Sequence, residues 1–228
     1  MIILRTNSGE EFLTTSVSRI SEAILERQAD GRTVTIGLSG GSTPRPAYQL
    51  LGQSTDIDWT RVTLFLVDER YVSSDAPESN QRMIRETLLQ GPAAAASTIF
   101  PDTSLTIDEC VARYDQAITL LQPDIVLLGM GGDGHIASLF PPLPEEAFGS
   151  SSVIHTVTDQ FAVHDRISVT LPVLKRASQR IFLIAGEKKR TLLEEMQKTK
   201  GGIVNFPAKA LFDDRTTWIC SGADTVDG

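Results

Sequence analysis

Cysteine is nearly absent from this chain. Among its 228 residues only Cys110 and Cys220 occur, far apart and with no CxxC spacing, which excludes a disulfide framework and a thiolate zinc site. Cations are in deficit as well: 21 lysines and arginines face 29 aspartates and glutamates, giving a formal net charge of -8 and a pI of about 4.9. A surface of that sign does not neutralise a nucleic-acid backbone or an anionic membrane, so neither is expected as a partner. Any anionic ligand has to be held by a local concentration of donors. Long apolar runs are missing too. No stretch approaches the roughly 18 apolar residues of a membrane span, and residues 1–12 scatter Arg5, Glu10 and Glu11 among short apolar runs. Together these absences point to the cytoplasm.

What is present is a 41% hydrophobic content, enough to bury a full core, and the length predicts a single domain over residues 1–228. Val17, Ile20, Ile24 and Leu25 recur at helical spacing, predicting a helix over 16–30 that Gly31 stops. Val34, Ile36 and Leu38 alternate as a strand, and Pro44 opens a helix through Leu51 in the first-turn position, where a missing N–H is tolerated. The pattern then repeats: a strand over 62–67, a helix over 80–89, a capping-box helix from Thr106 to Leu121, the buried strand Ile125-Val126-Leu127-Leu128, a short helix from Ile136, a strand over 180–185 and a helix over 188–200. Such alternation predicts an α/β fold, a Rossmann-like open and mostly parallel sheet with helices on both faces. In that class ligands bind at the carboxyl ends of the strands.

The loops at those ends are rich in glycine and polar groups. Ser39-Gly40-Gly41-Ser42-Thr43 lets backbone N–H groups approach an anion at a helix start, and also reads as a tight strand-to-helix turn with Thr43 as N-cap. Asp68-Glu69-Arg70-Tyr71 places opposite charges after a strand, in isolation no more than a solvated loop with a local ion pair. Gly129-Met130-Gly131-Gly132-Asp133-Gly134-His135 formally matches GxGxxG. It lies mid-chain, however, and Asp133 would set a carboxylate where a dinucleotide's pyrophosphate belongs. The glycines instead bend the chain so that Asp133 and His135 project together, which makes His135 a candidate general base. His155 and His164 lack that setting. Arg166 precedes the apolar run 167–171, and Lys188-Lys189-Arg190 starts a helix, where cations oppose the dipole unless an anion compensates.

These segments resemble the 6-phosphogluconolactonase family, within the larger group that also holds glucosamine-6-phosphate deaminases. The matching pieces are Leu38 through Pro44, Asp68-Glu69-Arg70 followed by Ser79-Asn80, Leu128 through Pro141, Arg166-Ile167-Ser168, and Gly186 with Lys189, in family order over nearly the whole chain. The family often has an Asp shortly after the late tryptophan, whereas Trp218-Ile219 here runs into Cys220-Ser221-Gly222. The resemblance implies hydrolysis of 6-phospho-D-glucono-1,5-lactone in the pentose phosphate pathway, with no cofactor and no metal. It implies His135 as the base, with Asp133 or Asp68 orienting it. The loop Ser39, Gly40, Gly41, Ser42 and Thr43 would then bind substrate together with Arg70, Arg166 and Lys189. The deaminase relatives continue past the histidine toward Asn-Glu-Pro, an extra acid that Ala137-Ser138-Leu139-Phe140-Pro141 does not supply. A non-catalytic sugar-phosphate sensor is a third reading, without support from any appended DNA-binding or partner segment.

Overall fold

The computed structural model describes residues 1–222. In chain order they form β1 (Ile2–Thr6), α1 (Gly9–Ala29), β2 (Val34–Leu38), α2 (Arg45–Gly52), β3 (Val62–Leu66), β4 (Asp68–Arg70), α3 (Asn80–Thr87), β5 (Ser97–Ile99), α4 (Ile107–Thr119), β6 (Ile125–Leu128), β7 (Val153–Val157), β8 (Asp165–Val169), α5 (Leu171–Arg176), β9 (Gln179–Ala185), α6 (Glu187–Lys198) and β10 (Thr216–Ser221). Seven strands make one sheet in the order β1-β10-β9-β6-β2-β3-β5, and every neighbouring pair is parallel. This is the α/β open sheet that the alternating pattern predicts. A second, antiparallel sheet of three strands, β4-β8-β7, was not legible in that pattern.

Both faces of the main sheet are covered, which explains why its central strands read as continuous apolar runs. Side chains alternate strictly. Ile36, Leu64, Leu127 and Leu183 point into a core shared with Ile20 and Ile24 of α1, Tyr48 of α2 and Ile84 of α3. Phe65, Val126, Leu128 and Phe182 point to the other face, against Tyr114 and Ile118 of α4, Leu174 of α5 and Met196 of α6. Gly37 is fixed by this packing, since a Cβ there would stand 2.6 Å from the Phe65 ring.

Several expectations need correction. The first helix begins at Gly9, not residue 16, because the Ser8 side chain accepts from the Glu11 N–H and starts the helix a full two turns earlier. Asp68, Glu69 and Arg70 are not a loop but strand β4, paired to β8 across long sequence separation. No helix follows Ile136; a tight turn closes there through Leu139 N–H to the Ile136 carbonyl at 3.0 Å, with Ala137 at φ 49°. Pro44 takes the cap position of α2 instead of its first turn, and Thr43 is not the cap. The segment Trp218-Ile219-Cys220-Ser221 is an interior strand, β10, between β1 and β9.

The strand order reverses between β2 and β6. From β2 the chain moves on to β3 on one side, and from β6 it reaches β9 on the other. A crevice at the carboxyl ends of β2 and β6 follows from that topology.

Away from that crevice, Arg180 is fully buried. Its Nε donates to Thr216 Oγ1 at 2.9 Å, its Nη1 to the Lys175 carbonyl at 3.1 Å near the end of α5, and its Nη2 bonds Asp213. Removing one partner of such a cluster strands the others in low dielectric. Arg180→Met should therefore lower stability by about 3 kcal/mol, read as a shifted urea midpoint.

Candidate active site

The histidine loop leaves β6 at Leu128 and folds back on itself. Gly134 N–H donates to the Gly131 carbonyl at 3.1 Å, and Gly131 N–H to the His135 carbonyl at 2.9 Å. Gly134 has φ 83°, a left-handed conformation. Gly131 has no alternative, because a Cβ would stand 2.1 Å from His135 Nδ1. The fold-back sets Asp133 Oδ1 2.6 Å from His135 Nδ1, and the same oxygen accepts the His135 backbone N–H at 3.0 Å. Burial alone would raise the Asp133 carboxyl, but the hydrogen bond and charge of His135 outweigh it and hold the carboxyl below the usual range. With Nδ1 donating to a carboxylate, Nε2 keeps the free lone pair.

Asp68 is placed differently from Asp133. Its Oδ2 accepts Ser138 Oγ at 2.7 Å, so the turn after Ile136 delivers a hydroxyl to it, and no hydrogen bond joins it to His135 among the described residues. Its neighbour Glu69 is buried and serves α3: it accepts the N–H groups of Asn80 at 2.7 Å and Gln81 at 2.8 Å and the Ser79 hydroxyl at 3.1 Å. Burial pushes the Glu69 carboxyl up, against those bonds. Asn80 in turn donates from Nδ2 to the Asp68 carbonyl at 2.8 Å. Gly40 is confined by the same side chain, since a Cβ would stand 1.8 Å from Asn80 Oδ1.

The second sheet sets two arginines side by side. Arg70 of β4 and Arg166 of β8 are direct cross-strand partners, an arrangement that like charges disfavour. Arg166 is 5% exposed. Its burial, then the charge of Arg70, lower its pKa against the pull of Asp68 and Glu69. Its Nε donates to the Val163 carbonyl at 3.0 Å. From the far side, Gly186 at φ 95° turns the chain into α6, whose Lys189 is half-buried and has its pKa lowered by burial. Of the basic run at that helix start, Lys188 is exposed and Arg190 lies 3.5 Å from Glu187, so only Lys189 enters the site. No salt bridge engages Arg70, Arg166 or Lys189 among the described residues.

The loop after β2 completes the wall. Ser39 N–H bonds the Leu127 carbonyl at 3.2 Å, tying it to β6, and Tyr48 donates to the Ser39 carbonyl at 3.0 Å. Gly41 turns at φ 102°, and α2 starts without a side-chain cap: Pro46 has no N–H, and the Arg45 N–H bonds the Ser42 carbonyl at 3.2 Å.

One cleft of about 400 Å³ collects Ser39, Gly40, Gly41, Ser42, Thr43, Asp68, Arg70, His135, Arg166 and Lys189 on its walls. Asp133 stands behind His135, outside that lining. His155 and His164 lie elsewhere, paired with Asp165 and Asp159 on the β7–β8 hairpin. Sequence reasoning missed Ser138, Phe140 and Phe161 as wall residues, and had Asn80 only as part of a motif. Phe140 lay within the quoted glycine-histidine segment; Phe161 gave no signal, being one aromatic in a polar turn. Among the described residues no group of three or more His, Cys, Asp or Glu converges as metal ligands do, and no helix is long and apolar enough to cross a membrane.

The chain matches the family described as glucosamine-6-phosphate isomerases/6-phosphogluconolactonase over residues 7–219. It is 34% identical over 221 residues to a probable 6-phosphogluconolactonase of Dictyostelium discoideum, covering 93% of this chain and 94% of the relative. It superposes on the crystal structure of a 6-phosphogluconolactonase from Thermotoga maritima with a TM-score of 0.85 at 29% identity, covering 96% and 99% of the two chains. For the corresponding protein of Shewanella baltica the TM-score is 0.87 at 26% identity, covering 97% of each. A monomeric glucosamine-6-phosphate deaminase, at 21% identity and a TM-score of 0.83 over 97% of each chain, shares the fold. By sequence over nearly its full length and by structure, the chain belongs to the family of glucosamine-6-phosphate isomerases and 6-phosphogluconolactonases.

Proposed function

We propose that the chain, as a single catalytic domain, hydrolyses 6-phospho-D-glucono-1,5-lactone to 6-phospho-D-gluconate, the lactone-opening step of the pentose phosphate pathway. The observation that carries this reading is a histidine hydrogen-bonded to a carboxylate at 2.6 Å, facing a cleft that also holds three cations without salt bridges among the described residues. The base suits an ester carbonyl and the cations suit a phosphate.

His135 Nε2 takes a proton from water, and the resulting hydroxide adds to the lactone carbonyl. Asp133 holds the imidazole by Nδ1 and stabilises its charged form, as the acid does in other histidine-based sites. The developing oxyanion accepts backbone N–H groups of the glycine loops, and the tetrahedral intermediate collapses by breaking the bond to the ring oxygen. The proton held on His135 then passes to that oxygen, so the base returns to its starting state. Arg166, Lys189 and the loop of residues 39–43 hold the phosphate, with Arg70 beside them. Asp68, which already accepts Ser138, is left to accept a hydroxyl of the sugar acid. The relatives named 6-phosphogluconolactonase support the substrate, and the absence of a further acid after His135 disfavours the deaminase chemistry.

His135→Ala should cut lactone hydrolysis by about 100- to 10,000-fold, measured against the spontaneous rate, with an unchanged melting temperature. Near-normal turnover in that variant would remove His135 from the mechanism. Arg166→Ala and Lys189→Ala should each weaken use of the phosphorylated lactone at least about tenfold, since each deletes a charge-assisted hydrogen bond. D-glucono-1,5-lactone, which lacks the phosphate, should be a poor substrate for the parent and scarcely affected by either change. Exhaustive chelation should leave the rate as it was; a loss restored by added zinc would overturn the metal-free mechanism.

A further inference from the structure

The turn joining β7 to β8 exposes a large apolar side chain in a polar setting. Phe161 follows Thr158, Asp159 and Gln160, is 43% exposed, and nevertheless turns inward to line the cleft. Its ring meets three groups there. The His135 ring lies 5.9 Å away between centroids at an interplanar angle of 78°, and the Phe140 ring 6.0 Å away at 43°. Arg166 Cζ stands 5.4 Å over its centroid.

We propose that Phe161 is a positioning residue, resting on the reading of lactone hydrolysis above: one ring holds the anion-binding Arg166 and the base His135 in register across the cleft. Three observations support it. First, Arg166 faces Arg70 directly across the β4–β8 ladder and makes no salt bridge among the described residues, so its guanidinium gains from a further stabilising neighbour in the free protein. An aromatic ring within about 6 Å is such a neighbour for a cation. Second, Arg166 is anchored by Nε to the carbonyl of Val163, in the same turn as Phe161, so the turn and the guanidinium are fixed as a unit. Third, His135 is positioned from several sides: Asp133 holds Nδ1, Phe140 packs on the ring at 4.7 Å, and Phe161 stands edge-on 5.9 Å away. In the proposed reaction His135 carries a transient positive charge, so the same ring adjoins both cations.

The inference separates from simple packing by substituents that keep bulk but not the π-system. Phe161→Trp, Phe161→Leu and Phe161→Ala are compared with the parent on the phosphorylated and the phosphate-free lactone, recording kcat, KM and melting temperature. Phe161→Trp should stay within about twofold of the parent, because it preserves the aromatic face. Phe161→Leu should lower kcat/KM on the phosphorylated lactone roughly tenfold, mainly through KM. On the phosphate-free lactone, where Arg166 has no phosphate to hold, the KM effect should vanish and only a fall in kcat should remain. Melting temperatures should not move, as the residue is exposed. Phe161→Leu matching the parent, or leucine and tryptophan failing alike, would overturn the positioning role. A parent without lactone hydrolysis would instead overturn the functional reading itself, an outcome visible before any variant is made.

Discussion

The pairing of β2 with β6 is the contact on which the site depends. It is short, Ile36 with Ile125 and Gly37 with Val126, and it joins the two halves of a wholly parallel sheet. Because the chain leaves these neighbours in opposite directions, nothing crosses over their carboxyl ends, and the loops of residues 39–43 and 129–135 open there facing each other. The contact is itself conditional on packing: Phe65 of β3 lies where any side chain at residue 37 would stand. Gly37, two residues before Ser39, thus holds the strand whose end carries the loop of residues 39–43.

Electrostatics at the site run against the rest of the molecule. The chain carries a net charge of -8, yet Arg70, Arg166 and Lys189 face one cleft without salt bridges among the described residues. Burial and mutual repulsion both work against that arrangement, and both are visible in the lowered pKa of Arg166. Folding tolerates it because the acids nearby are committed elsewhere. Glu69 closes the N-terminus of α3, Asp68 holds Ser138, and Asp133 holds His135. A doubly charged ligand would relieve a repulsion that Asp68 and Glu69 only partly offset, which would link ligand binding to the stability of this region.

Much of this was legible in the residues, and the division has a physical basis. β3, β6 and β9 stand out as apolar runs because they are buried on both faces, β2 shows by its alternation, and the α4 capping box is a local hydrogen-bond pattern readable from Thr106 and Glu109. β5 was not legible: it has three residues, two of them exposed hydroxyl residues. Nor was β4, whose Asp68, Glu69 and Arg70 have the composition of a loop and become a strand only through pairing with residues nearly a hundred positions away. The site shows the same split. His135 and Asp133 stand two positions apart in sequence, so their contact could be anticipated, while the choice between Asp133 and Asp68 as its partner required the geometry. The apposition of Arg70 and Arg166 is a register fact, and register across a non-local ladder is not written in either segment alone.

The two sheets divide the work, and this constrains what the cleft accepts. His135 hangs from the parallel sheet through β6, whereas Arg166 belongs to the small antiparallel sheet, which joins the larger one through Val169 N–H to the Val67 carbonyl at 2.9 Å. The distance between His135 and Arg166 is therefore a property of tertiary packing and not of any one loop. In the proposed reaction a substrate bound at both ends must match that distance, so a lactone whose phosphate sits one carbon nearer the carbonyl would reach only one of the two. Holding such a distance steady across two sheets calls for a side chain that contacts both, and among the described residues the Phe161 ring contacts His135 on one and Arg166 on the other.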